Sequence, residues 1–157
     1  MSDGDDTPGI VAARAAGIPF EVMRTQRARN AEESARLQGI PTGNLLRTIV
    51  IRRGENDYVF VLVPGGREID WPKLRAHLGV RRISLPDKDE ALTATGYERG
   101  AITPFGATNA WPVIADASVA ELDRVAIGGG ARGVNVHLRA TDLIAQSNAN
   151  VADVTRA

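Results

Sequence analysis

Residues 45–66 hold two short apolar segments, LLRTIVIRR and DYVFVLVPGG, separated by the turn-like GEND. Both are rich in Ile and Val, which suit a pleated strand, so the pair reads as a β-hairpin. Helical signals flank this hairpin. Before it, IVAARAAGIP reads as a short helix ended by Gly17 and Pro19. NAEESARLQGIP is a second helix: Asn30 caps it, Glu33 at the third helical position reaches back in a capping box, and Gly39 and Pro41 stop it.

After the hairpin, Asp70 caps DWPKLRAHLG, with Pro72 in the first turn where a missing N–H does no harm. VRRISL is an expected strand. PDKDEALTATG repeats the helix logic, with Asp87 as cap, Glu90 three residues on and Gly96 as C-cap. The loop ERGAITPFG follows, then strands at WPVIAD and VAIGG, a turn and strand in GARGVNVHL, and a last short helix, TDLIAQ, opened by Thr141. This order lacks the regular β-α-β alternation of a doubly wound fold and contains no internal repeat. The expectation is a mixed or closed sheet with helices packed outside, an α+β fold. No Pro/Ser-rich linker divides the chain, and 157 residues suit one domain. We expect that domain over residues 7–154, with 1–6 as a flexible tail.

Cysteine is absent, which excludes disulfides, thiolate catalysis and cysteine-bound metal clusters. The N-terminus carries three aspartates and no basic cluster before an apolar run, so it does not read as a signal peptide. The apolar segments are too short to cross a membrane. A soluble, cytoplasmic protein is the expectation. Nineteen basic and nineteen acidic residues balance, which argues against a protein that coats DNA or RNA non-specifically. A local footprint is compatible with that balance. From Arg24 to Arg53 the chain has Arg24, Arg27, Arg29, Arg36, Arg47, Arg52 and Arg53 against only Glu32 and Glu33. This is either an unevenly charged solvated surface or a phosphate-facing patch.

Side-chain chemistry is sparse. His77 and His137 are the only imidazoles, with no HxxxH or HxH pattern between them, and both read as ordinary structural or surface residues. No metal site and no cofactor is expected. None of Ser34, Ser84, Ser118 and Ser147 lies in a GxSxG elbow. There is no phosphate-binding glycine motif, since the run Gly128, Gly129, Gly130 precedes a strand rather than opening a helix. That run is either a tight structural turn or a close backbone approach to a ligand. In Gly100, Ala101, Ile102, Thr103, Pro104, Phe105, Gly106, terminal glycines give freedom while Pro104 stiffens the middle. Such a loop is either a simple rigid turn or one whose fixed N–H and C=O groups bind an ester carbonyl or amino group.

Taken together, TPGIVAARAAGIPFEV, AEESARLQGI, LLRTIVIR, YVFVLVPGGREIDWPKLRAHLG, DKDEALTATGYERGAITPFG and AIGGGARGVNVHLRATDLI resemble the YbaK/ProX family of aminoacyl-tRNA editing domains. That family includes the editing insertion of bacterial prolyl-tRNA synthetases. The resemblance spans about Thr7 to Val154. It implies a compact mixed α/β domain with a curved, partly barrel-like sheet, and hydrolysis of the ester joining a mismatched small amino acid to tRNA, most often proline tRNA. The implied partners are aminoacyl-tRNA and a prolyl-tRNA synthetase. The family's GxxxP loop falls on Gly100 through Pro104, where backbone groups would hold the aminoacyl group. Its glycine turn falls on Gly128, Gly129 and Gly130, and its strand-leading lysine on Arg47, in LRT where the usual pattern reads FKT. Leu46 and Phe105 would line the pocket, and Arg27, Arg29 and Arg47 would meet phosphates. The alternatives are a non-hydrolytic module that binds tRNA or an aminoacyl-adenosine-like ligand, and a protein-interaction module whose pocket is filled.

Overall fold

The computed structural model describes residues 6–157. It is an α+β arrangement built on the expected hairpin, β2 (Leu46–Gly54) and β3 (Asp57–Pro64), which pair antiparallel around a tight turn with Asn56 at φ 53°. β3 is buried on both faces, which explains its unbroken apolar run. Tyr58, Phe60 and Leu62 enter one core, and Val59, Val61 and Val63 enter another. Parallel pairing extends the sheet through β5 (Val113–Asp116) to β8 (Asn150–Ala152), giving the order β2-β3-β5-β8.

A second, antiparallel sheet has the order β1-β7-β6, from Phe20–Arg24, Val134–Arg139 and Arg124–Gly128. Its Val125, Ile127, Val136 and Leu138 share the larger core with β3. The two sheets meet where Leu45 bridges Ala126 in parallel. One bridge does not close a barrel, so the expected barrel-like character reduces to two sheets abutting at the start of β2. A small pair, β4 (Glu68–Ile69) with β9 (Thr155–Arg156), carries the ordered chain past residue 154.

Among the described residues, five α-helices pack with these sheets. Thr7 caps α1 (Pro8–Ala15), and Asn30 caps α2 (Ala31–Gln38) by accepting from the Glu33 N–H at 2.9 Å. The capping box is displaced by one residue, because the Glu33 carboxylate takes the Arg29 N–H and guanidinium instead of the Asn30 N–H. Asp70 caps α3 (Trp71–Leu78) and Asp87 caps α4 (Lys88–Thr95), and glycines in the left-handed region end α2, α3 and α4. The Glu90 N–H donates to the Asp87 cap, but its side chain does not complete a capping box: the carboxylate accepts from the Tyr58 hydroxyl and lies 3.2 Å from Arg52 Nε. α5 (Ala140–Gln146) starts before Thr141, with Arg139 at its N-cap and no side-chain cap.

VRRISL is not a strand. Only Ser84 pairs, in a single antiparallel bridge to Arg52, while Arg81 and Arg82 are exposed and Pro86 removes a later donor. The expected tail falls mainly on residues 1–5, outside the described residues, and Asp6 accepts from Arg14 Nη1 at 2.6 Å. Both tryptophans pack against the cores. Trp111 stands edge-on to Tyr58 at 5.1 Å and donates to the Ala94 carbonyl. Among the described residues no helix is long and apolar enough to cross a membrane.

Candidate functional site

The start of β2, the end of β6, the start of β7 and the loop after α4 enclose a cleft of about 530 Å3. α2 closes one side through Asn30, Ala31 and Ser34. Leu45, Leu46, Ile49, Ile102 and Val134 supply apolar surface, while Arg27, Arg47, Arg99 and Arg132 bring positive charge to the lining; no acidic residue lines the cleft, and Glu98 stands outside it 3.9 Å from Arg132 Nε. An apolar lining under a cationic rim suits a ligand with a small uncharged end and a phosphate-bearing body.

The expected site residues divide into two groups. Arg47, Leu46, Gly100, Ile102, Gly128 and Arg27 line the cleft. Ala101, Thr103, Pro104, Phe105, Gly129, Gly130 and Arg29 are not among its lining residues. Ala101, Thr103 and Phe105 are buried, and they hold the loop's shape from behind. Thr103 Oγ1 accepts from the Phe105 N–H, and the Phe105 carbonyl accepts from the Tyr97 hydroxyl at 2.7 Å. Burial pushes the Tyr97 phenol up to about 12, so it remains a donor at neutral pH. Arg29 is committed to Glu33 at 2.9 Å.

The glycines permit close backbone approach. A Cβ on Gly128 would stand 3.1 Å from the Ile102 carbonyl oxygen and 3.5 Å from that of Ala101. The GAITP loop and the end of β6 are therefore pressed together with no side chain between them. Gly100, at φ +94°, is in a region that L side chains rarely adopt. Gly129 accepts the Thr7 hydroxyl on its carbonyl, and a Cβ on Gly130 would fall 2.8 Å from Tyr97 Cε1. These two glycines seat the start of α1 and Tyr97 behind the wall that Gly128 forms.

Arg47 is exposed, and its Nη2 donates to the Arg67 carbonyl oxygen at 2.6 Å. This bond steadies the side chain across the β3–β4 turn and leaves the rest of its donor fork available. Sequence reasoning missed Arg99 and Arg132, which lie outside the arginine-rich stretch. It also missed Thr48, whose Oγ1 is buried without a hydrogen-bond partner. The order Arg47-Thr48 on a strand carries a weak signal for Thr48, since a hydroxyl on a core-facing position needs a partner.

No lining hydroxyl has a base. Ser34 Oγ accepts from Gln38 Nε2 at 2.9 Å, and it is Gln38 Oε1 that meets His137 Nε2 at 2.8 Å. A carboxamide thus separates the imidazole from the serine and cannot take its proton. Desolvation, then the Arg124 charge, lowers the His137 pKa, with Glu21 opposing. Among the described residues no three His, Cys, Asp or Glu side chains group to hold a metal ion.

The chain is 29% identical over 121 residues to a proline–tRNA ligase of Thermosipho melanesiensis, covering 75% of this chain and 21% of the ligase. It is 25% identical over 136 residues to an Enterococcus faecalis protein named as a candidate Cys-tRNA(Pro)/Cys-tRNA(Cys) deacylase, covering 87% of this chain and 83% of that one. This chain therefore spans about a fifth of the ligase's length but most of the deacylase relative's. Its fold matches the crystal structure of a candidate trans-editing enzyme for prolyl-tRNA synthetase with a TM-score of 0.88 at 23% identity, covering 96% of each chain. The aminoacyl-tRNA editing domain matches residues 25–145, and the chain belongs to that family.

Proposed function

We propose that this protein hydrolyses the ester of a mischarged aminoacyl-tRNA, with the terminal adenosine and its aminoacyl group held in the cleft between Arg47, Gly100 and Gly128. One observation carries the reading: an open cleft with apolar surface, a rim of four arginines and a backbone wall made by the GAITP loop against Gly128. A pocket filled by side chains, the expectation for a protein-interaction module, is not what lies there.

The chemistry needs no side-chain nucleophile. Water adds to the ester carbonyl, the bond from that carbon to the ribose oxygen breaks, and the departing oxygen receives a proton. The neighbouring ribose hydroxyl of the substrate is the natural shuttle for that proton. Backbone groups of Gly100 and Ile102, the members of the GAITP loop that line the cleft, orient the aminoacyl group, and their fixed placement supplies the rate by positioning and by stabilising developing charge. Arg47 anchors the ribose or a nearby phosphate with the donors left after its bond to Arg67. Arg27 contacts phosphate beside it, and Leu46 and Ile102 bound the space for the amino acid. Small size, more than fine complementarity, then selects what enters.

The amino acid is a small one, carried by proline tRNA, and the protein acts beside a prolyl-tRNA synthetase. Support for these finer points comes from the relatives, whose names refer to proline and cysteine tRNAs. Deacylation of tRNAs charged with alanine, cysteine, serine and proline tests the reading. Faster loss of one mischarged species is the expected outcome. Binding of all four with unchanged ester half-lives would replace hydrolysis by a binding function.

A further inference from the structure

β2 leaves the cleft at Arg47 and reaches Arg52 and Arg53, where a second groove of about 590 Å3 opens beside the hairpin end. At about 3.3 Å per residue the two arginine clusters lie roughly 17–20 Å apart along one strand. Five lining residues of this groove are arginine (Arg52, Arg53, Arg75, Arg81 and Arg82), and none is acidic. Arg52 faces Glu90 at 3.2 Å and Arg53 faces Asp57 at 2.8 Å. Arg75, Arg81 and Arg82 have no acidic partner among the described residues. In a chain of zero formal net charge, three uncompensated guanidinium groups gathered at one mouth form a local positive field that favours a polyanion.

The groove does not resemble a site for a small phosphate compound. Arg81 and Arg82 are exposed, and the opening is broad, so the charges are presented along a surface instead of converging in a dry pocket. A duplex backbone, with phosphates at regular spacing, fits that presentation. We propose that this groove holds the phosphate backbone of the RNA whose 3′ end enters the cleft, at a point in its double-stranded stem. β2 acts as the ruler between the two contacts. The assignment of the RNA rests on the editing function proposed above.

The test compares wild type with Arg75→Gln/Arg81→Gln/Arg82→Gln, and with Arg82→Gln alone as a milder change. Two substrates are used: aminoacyl-tRNA, and an aminoacyl-adenosine ester too short to leave the cleft. The triple variant is expected to bind tRNA about 10-fold or more weakly at moderate salt, with the log–log salt slope smaller in magnitude by about 2–3, and Arg82→Gln by about 1. Hydrolysis of the aminoacyl-adenosine ester should be unchanged, which also reports a folded cleft. Wild-type tRNA affinity and salt slope in both variants would overturn the proposal. If wild type hydrolyses neither ester while the variants still lose tRNA binding, editing fails and the groove assignment stands.

Discussion

At the scale of single residues the site depends on absent side chains. Gly128→Ala places a methyl 3.1 Å from the Ile102 carbonyl, so the GAITP loop must shift away from β6. A displacement of a few tenths of an ångström in positioning groups is costly to rate, and we expect kcat/KM for ester hydrolysis to fall about 10- to 100-fold with little change in tRNA affinity. Arg47→Ala should act on both binding and hydrolysis, whereas Arg47→Lys retains the charge and should recover part of the activity. The split between kcat and KM in the three variants checks this. Thr48→Val replaces a buried, unpartnered hydroxyl by a methyl of similar shape. A gain in melting temperature together with slower hydrolysis would mean the hydroxyl serves bound substrate; a gain without loss of rate would mean that it does not. The motif residues Gly100 and Gly128 were legible because their spacing is local. Arg132 was not, since only tertiary packing brings it to the cleft, while Thr48 and Arg99 adjoin Arg47 and Gly100 in sequence but carry no motif of their own.

At the scale of elements, the loop after α4 is held by a few bonds within itself. The Tyr97 hydroxyl donates to the Phe105 carbonyl, and Tyr97→Phe leaves that buried acceptor unpaired. The expected cost is about 1–3 kcal/mol in denaturant unfolding, with activity reduced at temperatures well below the melting point. The helix starts at Asn30, Asp70 and Asp87 were readable because each cap bonds an N–H three residues away. β1 escaped notice since FEVMR is a short, half-exposed strand whose pairing lies more than a hundred residues away in β7. β8 and β9 are shorter still and exist only through β5 and β4. VRRISL misled because its Val, Ile and Leu suggest a strand, whereas the adjacent Arg81 and Arg82 break any alternation and line the second groove.

At the scale of the whole molecule, Asp116 ties the chain's end to its central sheet. Burial opposes its charge, yet bonds from the Ser118 hydroxyl, the Val154 and Ser118 N–H groups and Thr155 outweigh that and lower its pKa. A carboxyl held below its unfolded value of about 3.9 contributes stability that is complete above that pH and lost as pH falls toward the folded value. Acid unfolding should therefore steepen below about pH 4 in the wild type and be flatter in Asp116→Asn, measured by melting temperature against pH. The lowered His137 pKa has the same sign in a higher window: its contribution is full above about pH 6.5 and declines as pH falls below that value. The mixed α+β class was visible from the order of elements, but the meeting of two unclosed sheets was not, because it depends on the one bridge between Leu45 and Ala126. That junction places β2, β6 and the GAITP loop around one cleft, and the central claim is that this cleft breaks an aminoacyl ester. The most direct measurement is the half-life of alanyl- or cysteinyl-tRNA(Pro) with wild type and with Gly100→Ala at equal folded concentration. Wild type should shorten the half-life at least 10-fold, and the variant should largely restore it; half-lives equal to the spontaneous rate with both proteins, and with the serine- and proline-charged species as well, would rule out ester hydrolysis in this cleft.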